Sequence, residues 1–171
     1  WTNSWEDDAA TAEATKNLLD AHNIDVLTMH SDSLIPLDIA EERGVMSIGY
    51  NWDNSTNYPE TYLTAAVWDW ESFYKPIILK CLQGKFEGKN YWEGIDSGVV
   101  DLAPLTDKVN PETQTVILQE MEKLRSGTYD VFYGPIYDNA GNLRIEEGEC
   151  MTDNAMLNEF DWYVEGVMID E

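Results

Sequence analysis

The chain has 171 residues, of which 43% are hydrophobic and 12% aromatic, enough apolar material to fill the core of one ordinary domain and to exclude intrinsic disorder. It carries 33 acidic and 10 basic residues, a formal charge of -23 that repels phosphate backbones and anionic membrane surfaces. We therefore expect no nucleic-acid partner, and no stretch of the sequence is apolar over the length of a membrane span.

The first segment, WTNSW, has the character of a loop that follows a strand, so we expect the chain to be a fragment or a processed product. Residues 7–21 then predict a helix. Asp7 or Asp8 serves as its N-cap, and Leu18 and Leu19 should face inward.

Residues 23–54 contain a complete strand, helix and strand. The runs 24–29 and 45–50 are short, apolar and β-branched, which is typical of buried parallel strands. Between them Pro36 can open a helix, and Gly44 supplies its left-handed end. The apolar side of this helix holds Leu37, Ile39 and Ala40. Two strands joined by one helix must be parallel.

Residues 62–68 predict a further strand, after which Asp69 can cap a helix over 70–83 that ends at Gly84. Pro76 lies inside that helix and should kink it or restart it. Residues 98–102 predict a short strand. The strongest helix signal follows, with Asn110 as the cap and Pro111 as the first helical residue. Gly127 ends this helix, and its apolar stripe is formed by Val116, Ile117, Met121 and Leu124.

The last quarter predicts a strand over 131–134, a hairpin over 136–145 and a short helix over 156–167 with Thr152 or Asp153 as its cap. Cys81 and Cys150 are isolated thiols, either a buried reduced pair or one disulfide. We expect the indoles of Trp92 and Trp162 to pack in the core.

Catalytic motifs are absent from the sequence: it has no G-x-S-x-G, no H-E-x-x-H, no P-loop and no G-x-G-x-x-G after a strand. His30 next to Asp32 could be half of a nucleophilic triad, but no Ser or Cys sits on a recognisable strained turn, which favours a hydrogen-bonding loop residue. The acids Glu146, Glu147 and Glu149 could bind a cation, although such a run is typical of a solvated edge. We expect no enzyme activity, no metal and no cofactor.

Successive strand ends carry an aromatic or a short polar side chain, and in parallel α/β sheets ligands bind at the carboxyl ends of the strands. Indole faces stack on planar rings or sugars, while Asp and Asn exchange hydrogen bonds with hydroxyls and ring nitrogens. This pattern predicts a site for a small polar molecule with a flat part. Its predicted residues are Trp5, His30, Asp32, Asn51, Asp53, Trp68 and Asp69.

The chain resembles the carboxyl-terminal half of the basic membrane protein family, the substrate-binding lipoproteins of ABC transporters that include the PnrA-like nucleoside-binding proteins. The resemblance rests on the order and spacing of SWEDDAATAEAT, IDVLTMHSDSLIPLDIAEERGVMSIGYNWD, LTAAVWDW, YWEG, SGVVDLAPL, VFYGPIYDNAGN and WYVEGV. It implies a type I periplasmic-binding-protein fold, an α/β architecture whose two lobes close over ligand. This chain would then hold most of the second lobe and part of the first, with apolar surface exposed or paired with another chain.

On this basis residues 1–69 form the ligand-binding lobe and residues 70–94 a crossover helix and loop toward the first lobe. Residues 95–127 form a return strand and helix, and residues 128–171 a hairpin and carboxyl-terminal helix near the hinge.

The resemblance implies a component of an ABC importer that binds a small polar ligand, such as a purine nucleoside, without changing it. It also implies an ABC permease as partner, an extracytoplasmic location and a lipid anchor outside this chain. Trp5 falls where nucleoside-binding members stack an aromatic on the base, and Asp53 where they hold the ribose hydroxyls. At the next strand end, where those members carry Lys, this sequence has Trp68 or Asp69.

Two other functional classes remain open at this point. The same fold serves as the ligand-sensing effector module of transcription regulators. The residues also leave open an α/β hydrolase that uses His30 and Asp32.

Overall fold

The structure, a computed structural model, describes residues 2–169 of the chain. They divide into one unit that ends at Leu118 and a second that begins at Gln119. The first contains the helices α1 (Asp8–Ala21), α2 (Ile35–Arg43) and α3 (Trp70–Leu82), the start of α4 (Pro111–Arg125), and the strands β1 (Val26–Thr28), β2 (Met46–Asn51), β3 (Tyr62–Trp68) and β4 (Val100–Leu102). The second contains β5 (Ile136–Tyr137), β6 (Leu143–Ile145) and α5 (Asp153–Asn158). Within residues 2–169, every helix falls short of the length and apolarity that crossing a membrane requires.

The four strands of the first unit form one sheet in the order β1-β2-β3-β4. Strands β1 and β2 are parallel, as predicted, and β3 is parallel to β2. Strand β4 runs antiparallel to β3, with Ala66 opposite Leu102. The α/β class with a mainly parallel sheet and flanking helices is therefore confirmed, with one antiparallel edge strand added.

Helix α2 supplies most of the helical side of the core. Pro36 lies in its first turn, and Gly44 ends it with a φ of 67°, as the sequence predicts. Its inward residues are buried, and the core cluster of the sheet consists of Leu37, Tyr58, Tyr62, Ala65 and Ala103.

Tyr62 joins this core to the loop after β2. Its hydroxyl accepts a hydrogen bond from the Asn54 N–H at 3.1 Å and donates one to the Trp52 carbonyl at 3.3 Å. Burial raises the pKa of this hydroxyl, which stays neutral and able to donate. The loop that contains Asp53 is thus held by a core residue.

Some predicted inward faces are exposed. Leu18 is 41% exposed, whereas the buried residues of α1 are Thr11 and Thr15. Small threonines allow close packing beside α2, and the Thr15 hydroxyl donates to the Thr11 carbonyl. Strand β1 lies at an edge of the sheet, so Val26 is exposed and only Leu27 is buried.

Helix α3 is capped by Asp69 as predicted and continues through Pro76, so of the two outcomes predicted there, a kink or a restart, the restart does not occur. The helix has no buried residue. Apolar side chains are therefore at the surface, and Leu82 is 80% exposed. Cys81 and Cys150 are both exposed and free, so the prediction of a buried pair is wrong and the alternative disulfide is absent. Trp92 is 58% exposed, so its prediction as a core residue is also wrong.

Helix α4 begins after Asn110, whose side chain accepts from the Thr113 N–H at 2.8 Å, and Gly127 follows with a φ of 66°. This agrees with the predicted cap and end. Met121 is the buried residue of the stripe, whereas Val116 is exposed because α4 turns only a narrow side inward.

In the second unit, β5 and β6 form the predicted antiparallel hairpin around a turn at Asp138. Hydrogen bonds from Asn142, then from Arg144 and Ala140, lower the pKa of this buried carboxyl group below its usual range. The turn is therefore built around one fully accepting carboxylate.

Two predictions for the second unit are wrong. Residues 131–134 form no strand beyond a single bridge between Tyr133 and Cys150. Helix α5 has the predicted cap, Thr152, but ends at Asn158, so most of the helix predicted over 156–167 is missing. Trp162 is partly buried against Phe160, at 4.8 Å between ring centroids.

Candidate functional site

The carboxyl ends of β1, β2 and β3 meet at one edge of the sheet, which we call the rim, and Asn51 connects them. Its Nδ2 donates to Asp32 Oδ1 at 2.7 Å, and its Oδ1 accepts from Trp68 Nε1 at 3.0 Å. Because a carboxylate only accepts and an indole N–H only donates, the orientation of the amide is determined. Asn51 has a φ of 74°, a left-handed conformation that Asn tolerates better than most residues.

The opening loop lies beside the end of β1. The Trp5 carbonyl accepts from the Asp32 N–H at 3.2 Å and from the Ser31 hydroxyl at 3.1 Å. His30 packs edge-on between two rings, with centroid distances of 5.3 Å to Trp5 and 4.5 Å to Tyr50. A cavity of about 350 Å³ follows this loop and is lined by Thr2, Asn3, Ser4, Trp5 and His30.

His30 makes ring contacts, and within residues 2–169 no hydrogen bond joins it to Asp32. A nucleophilic triad needs a base that is oriented by such a bond. The arrangement therefore supports the interpretation of His30 as a loop residue.

A second cavity, of about 370 Å³, lies at the ends of β2 and β3 and is lined by Asn51, Trp52, Trp68 and Trp70. Trp68 and Trp70 are stacked, with centroids 5.6 Å apart and planes 22° from parallel. Sequence reasoning missed Trp52, Trp70 and Tyr50. A signal was available in the sequence, because Tyr50 and Trp52 flank the predicted Asn51 and Trp70 follows the predicted Asp69.

The two remaining predicted site residues differ in their partners. Asp53 is exposed, and one of its oxygens accepts from the Ser55 N–H at 2.9 Å. Asp69 instead accepts from the Ser72 side chain and from the N–H groups of Ser72 and Glu71, which lower its pKa. Both oxygens of Asp69 accept hydrogen bonds from the first turn of α3. At the end of β3 it is therefore Trp68 that bonds to Asn51.

The rim is rich in hydrogen-bond acceptors and indole faces. Neither Asp32 nor Asp53 pairs with a Lys or Arg within residues 2–169. The same residues contain no cluster of three His, Cys, Asp or Glu that could hold a metal ion. Such a surface suits a ligand that carries N–H or O–H donors and a flat ring.

Comparison with known proteins places these features in a family context. The family model described as ABC transporter substrate-binding protein PnrA-like matches residues 1–132. A purine-binding protein of Brucella abortus is 33% identical over 168 residues, 98% of this chain and 47% of that protein. A putative ABC transporter glucose-binding protein of Haloferax volcanii is 29% identical over 167 residues, 98% of this chain and 40% of that protein. The chain thus spans less than half the length of these relatives.

Solved structures show the same fold. A transcriptional activator of the comK gene from Bacillus halodurans matches with a TM-score of 0.68 and 22% identity, over 75% of this chain and 46% of that one. An ABC transporter solute-binding protein from Conexibacter woesei matches with a TM-score of 0.59 and 21% identity, over 76% and 44%. One from Aeropyrum pernix has the same TM-score and 15% identity, over 75% and 45%. At these identities the likeness concerns the fold alone.

Proposed function

Because this chain belongs to the PnrA-like family of ABC transporter substrate-binding proteins, we propose that it binds a small polar ligand with a flat ring, such as a purine nucleoside, and releases it unaltered to an ABC permease. The curated relative named as purine-binding supports this ligand class. The family is a non-catalytic, extracytoplasmic part of a transporter, and we place a lipid anchor outside this chain.

One observation carries the proposal: hydrogen bonds connect Asp32 to Asn51 and Asn51 to Trp68. Trp5 lies next to Asp32, whose N–H donates to the Trp5 carbonyl. Stacking of a base on an aromatic side chain contributes about 1–3 kcal/mol. The free oxygens of Asp32 and Asp53 can accept from ring N–H groups or hydroxyls. We therefore propose Trp5, His30, Asp32, Asn51, Asp53 and Trp68 as ligand-binding residues, with Asp69 holding the start of α3.

The mechanism requires closure of two lobes and no reaction. A ligand that contacts both lobes stabilises the closed form by its difference in affinity for the two forms. In this proposal residues 1–69 are the ligand-binding lobe and 70–94 a crossover toward the first lobe. Residues 95–127 form a return strand and helix, and residues 128–171 form a hairpin and carboxyl-terminal helix near the hinge.

The test combines ligand identification with two variants. Mass spectrometry of small molecules released from the purified, denatured protein should find a purine nucleoside. Calorimetric titration with adenosine should show about fivefold or greater loss of affinity for Trp5→Ala and for Asp53→Ala, because each removes roughly 1–3 kcal/mol of contacts.

Trp92→Ala is the matched control, since this indole is similarly exposed and lines neither cavity at the rim. Circular dichroism should show that all three variants fold. Unchanged adenosine affinity in both site variants would refute the assignment of the site.

A further inference from the structure

Two serine hydroxyl groups in the loop between β1 and α2 hold the opening loop and the start of α1. The Ser31 hydroxyl donates to the Trp5 carbonyl at 3.1 Å, and the Asp32 N–H donates to the same oxygen at 3.2 Å. The Ser33 hydroxyl donates to Asp8 Oδ1, in the first turn of α1, at 2.6 Å. Because a carbonyl oxygen has two lone pairs, the Trp5 carbonyl is fully satisfied by its partners on this loop.

Each serine hydroxyl has a defined direction. The Ser33 N–H donates to Ser31 Oγ at 3.2 Å, and the Ile35 N–H donates to Ser33 Oγ at 3.4 Å. Since a hydroxyl group has one hydrogen, each serine accepts from the backbone of its own loop and donates to the opening loop or to α1. The backbone of the loop between β1 and α2 thereby aims both hydroxyls at the segment that carries Trp5.

The indole of Trp5 depends on these bonds because the core does not hold it. It is 54% exposed, and within residues 2–169 its ring contact is an edge-on one with His30, at 5.3 Å between centroids. The position of such a ring is set by that contact and by its own backbone, so a bond that fixes the backbone keeps the ring beside His30. A side chain that is ordered before binding spares the ligand the entropic cost of ordering it.

We propose that Ser31 and Ser33 are positioning residues for ligand binding, which hold Trp5 beside His30 before the ligand arrives. Ser31 acts on the Trp5 carbonyl directly, whereas Ser33 acts through Ser31 and through Asp8. The inference rests on the proposed function and deepens it, because it assigns the order of the site to two hydroxyl groups that need not touch the ligand.

Calorimetric titration with adenosine tests the effect on affinity. Ser31→Ala and Ser33→Ala should each lose about three- to tenfold of the affinity, since part of the binding energy then goes into ordering the opening loop. Ser31→Thr keeps the hydroxyl and should bind within about twofold of the wild-type protein. In the Trp5→Ala background, Ser31→Ala should cost no more than about twofold, because a residue that acts through the indole has no effect once the indole is absent.

A second measurement needs no ligand. In protein labelled with fluorotryptophan, the fluorine NMR resonance of Trp5 is assigned by its absence in Trp5→Phe. In Ser31→Ala this resonance should move toward its position in the unfolded chain, and Ser31→Thr should restore it. The resonance of Trp92, which is 58% exposed and lines neither cavity at the rim, should stay in place. A general loss of stability would instead affect both labels.

Ser97→Ala is the matched control. The Ser97 hydroxyl donates to the Gly94 carbonyl at 2.6 Å and accepts from the Val99 N–H at 3.3 Å, which is the bonding pattern of Ser31. Ser97 lines neither cavity at the rim, so this variant should keep the wild-type affinity for adenosine. Ser31 is half-buried, so its variants leave the core intact and decide the outcome on their own.

Unchanged adenosine affinity in Ser31→Ala, or a Trp5 resonance that stays in place, would overturn the positioning role while leaving the proposed function intact. An equal loss in the wild-type and Trp5→Ala backgrounds would mean that Ser31 does not act through the indole, and would overturn it too. Failure of the wild-type protein to bind adenosine would overturn the proposed ligand class and this inference with it.

Discussion

Replacing Gly49 by alanine should both weaken the fold and disturb the site, because Gly49 lies against the ring of Tyr62. A Cβ atom at this position would lie 2.8 Å from the Tyr62 hydroxyl oxygen and 3.0 Å from a ring carbon. Tyr62 is 1% exposed and belongs to the core cluster, so its ring has little room to move. Any movement must lengthen the hydrogen bonds from its hydroxyl to Asn54 and Trp52.

The size of the effect follows from three contributions. Overpacking a core costs about 1–3 kcal/mol, and each hydrogen bond lost costs about 0.5–1.5 kcal/mol. Alanine returns about 0.4–1 kcal/mol by restricting the unfolded chain. We therefore expect Gly49→Ala to lower the free energy of unfolding by about 2–4 kcal/mol.

Urea denaturation followed by circular dichroism measures this change, and Gly88→Ala is the matched control. A Cβ atom on Gly88 meets nothing within 4 Å, so this variant should change the free energy of unfolding by less than about 0.5 kcal/mol. Tyr62→Phe removes only the hydroxyl and should cost about 1–2 kcal/mol. If Gly49→Ala and Gly88→Ala proved equally stable, the close packing of Gly49 on Tyr62 would be refuted.

Three further outcomes are expected. Asn51→Ala should be about 1 kcal/mol less stable to urea than Asn51→Gly, since both lack the amide but only glycine accepts a φ of 74° freely; equal midpoints would contradict this. The pKa of Asp138 is lower in the folded state than in the unfolded state, where it is about 4. The stabilisation by this carboxylate is therefore complete above the unfolded pKa and is lost as the pH falls from there through the folded pKa. Asp138→Asn should flatten the dependence of stability on acid pH, and an unchanged dependence would contradict the role of Asp138 in the turn. Asp69→Ala should reduce the helical circular dichroism signal through loss of the α3 cap, whereas Asp69→Ser should keep it; identical spectra for all three proteins would exclude the capping role.

Local features of the fold were predictable because their causes lie within a few residues. Asp7 and Asp69 cap helices because a carboxylate accepts from N–H groups two or three residues later. Gly44 ends α2 because its backbone adopts a positive φ at no steric cost. These interactions form whatever lies elsewhere in the chain.

The burial of a residue was less predictable because it depends on what lies opposite. Leu18 and Val26 belong to apolar stretches, yet within residues 2–169 no element covers them fully, and they remain 41% and 42% exposed. The same reason applies to Cys81 on α3, a helix without buried residues. Sequence patterns record the apolar character of a side chain and not the presence of its partner.

The position of the candidate site was predictable, whereas its connections were not. Polar residues after parallel strands indicated one rim, and the hydrogen bond between Asp32 and Asn51 agrees with this. The bond from Trp68 to Asn51 depends on the register that sets Asn51 opposite Val67, and on the left-handed turn at Asn51. Register comes from the packing of whole strands, which no local pattern reports.

The location of the rim has an evolutionary consequence. The side chains that line the two cavities belong to residues at or just beyond the strand ends, whereas Leu37, Tyr62 and Ala65 belong to the core cluster of the sheet. Replacing an indole at the rim therefore leaves the supporting framework intact. The surface chemistry of the rim can therefore change through a handful of substitutions while the architecture stays the same.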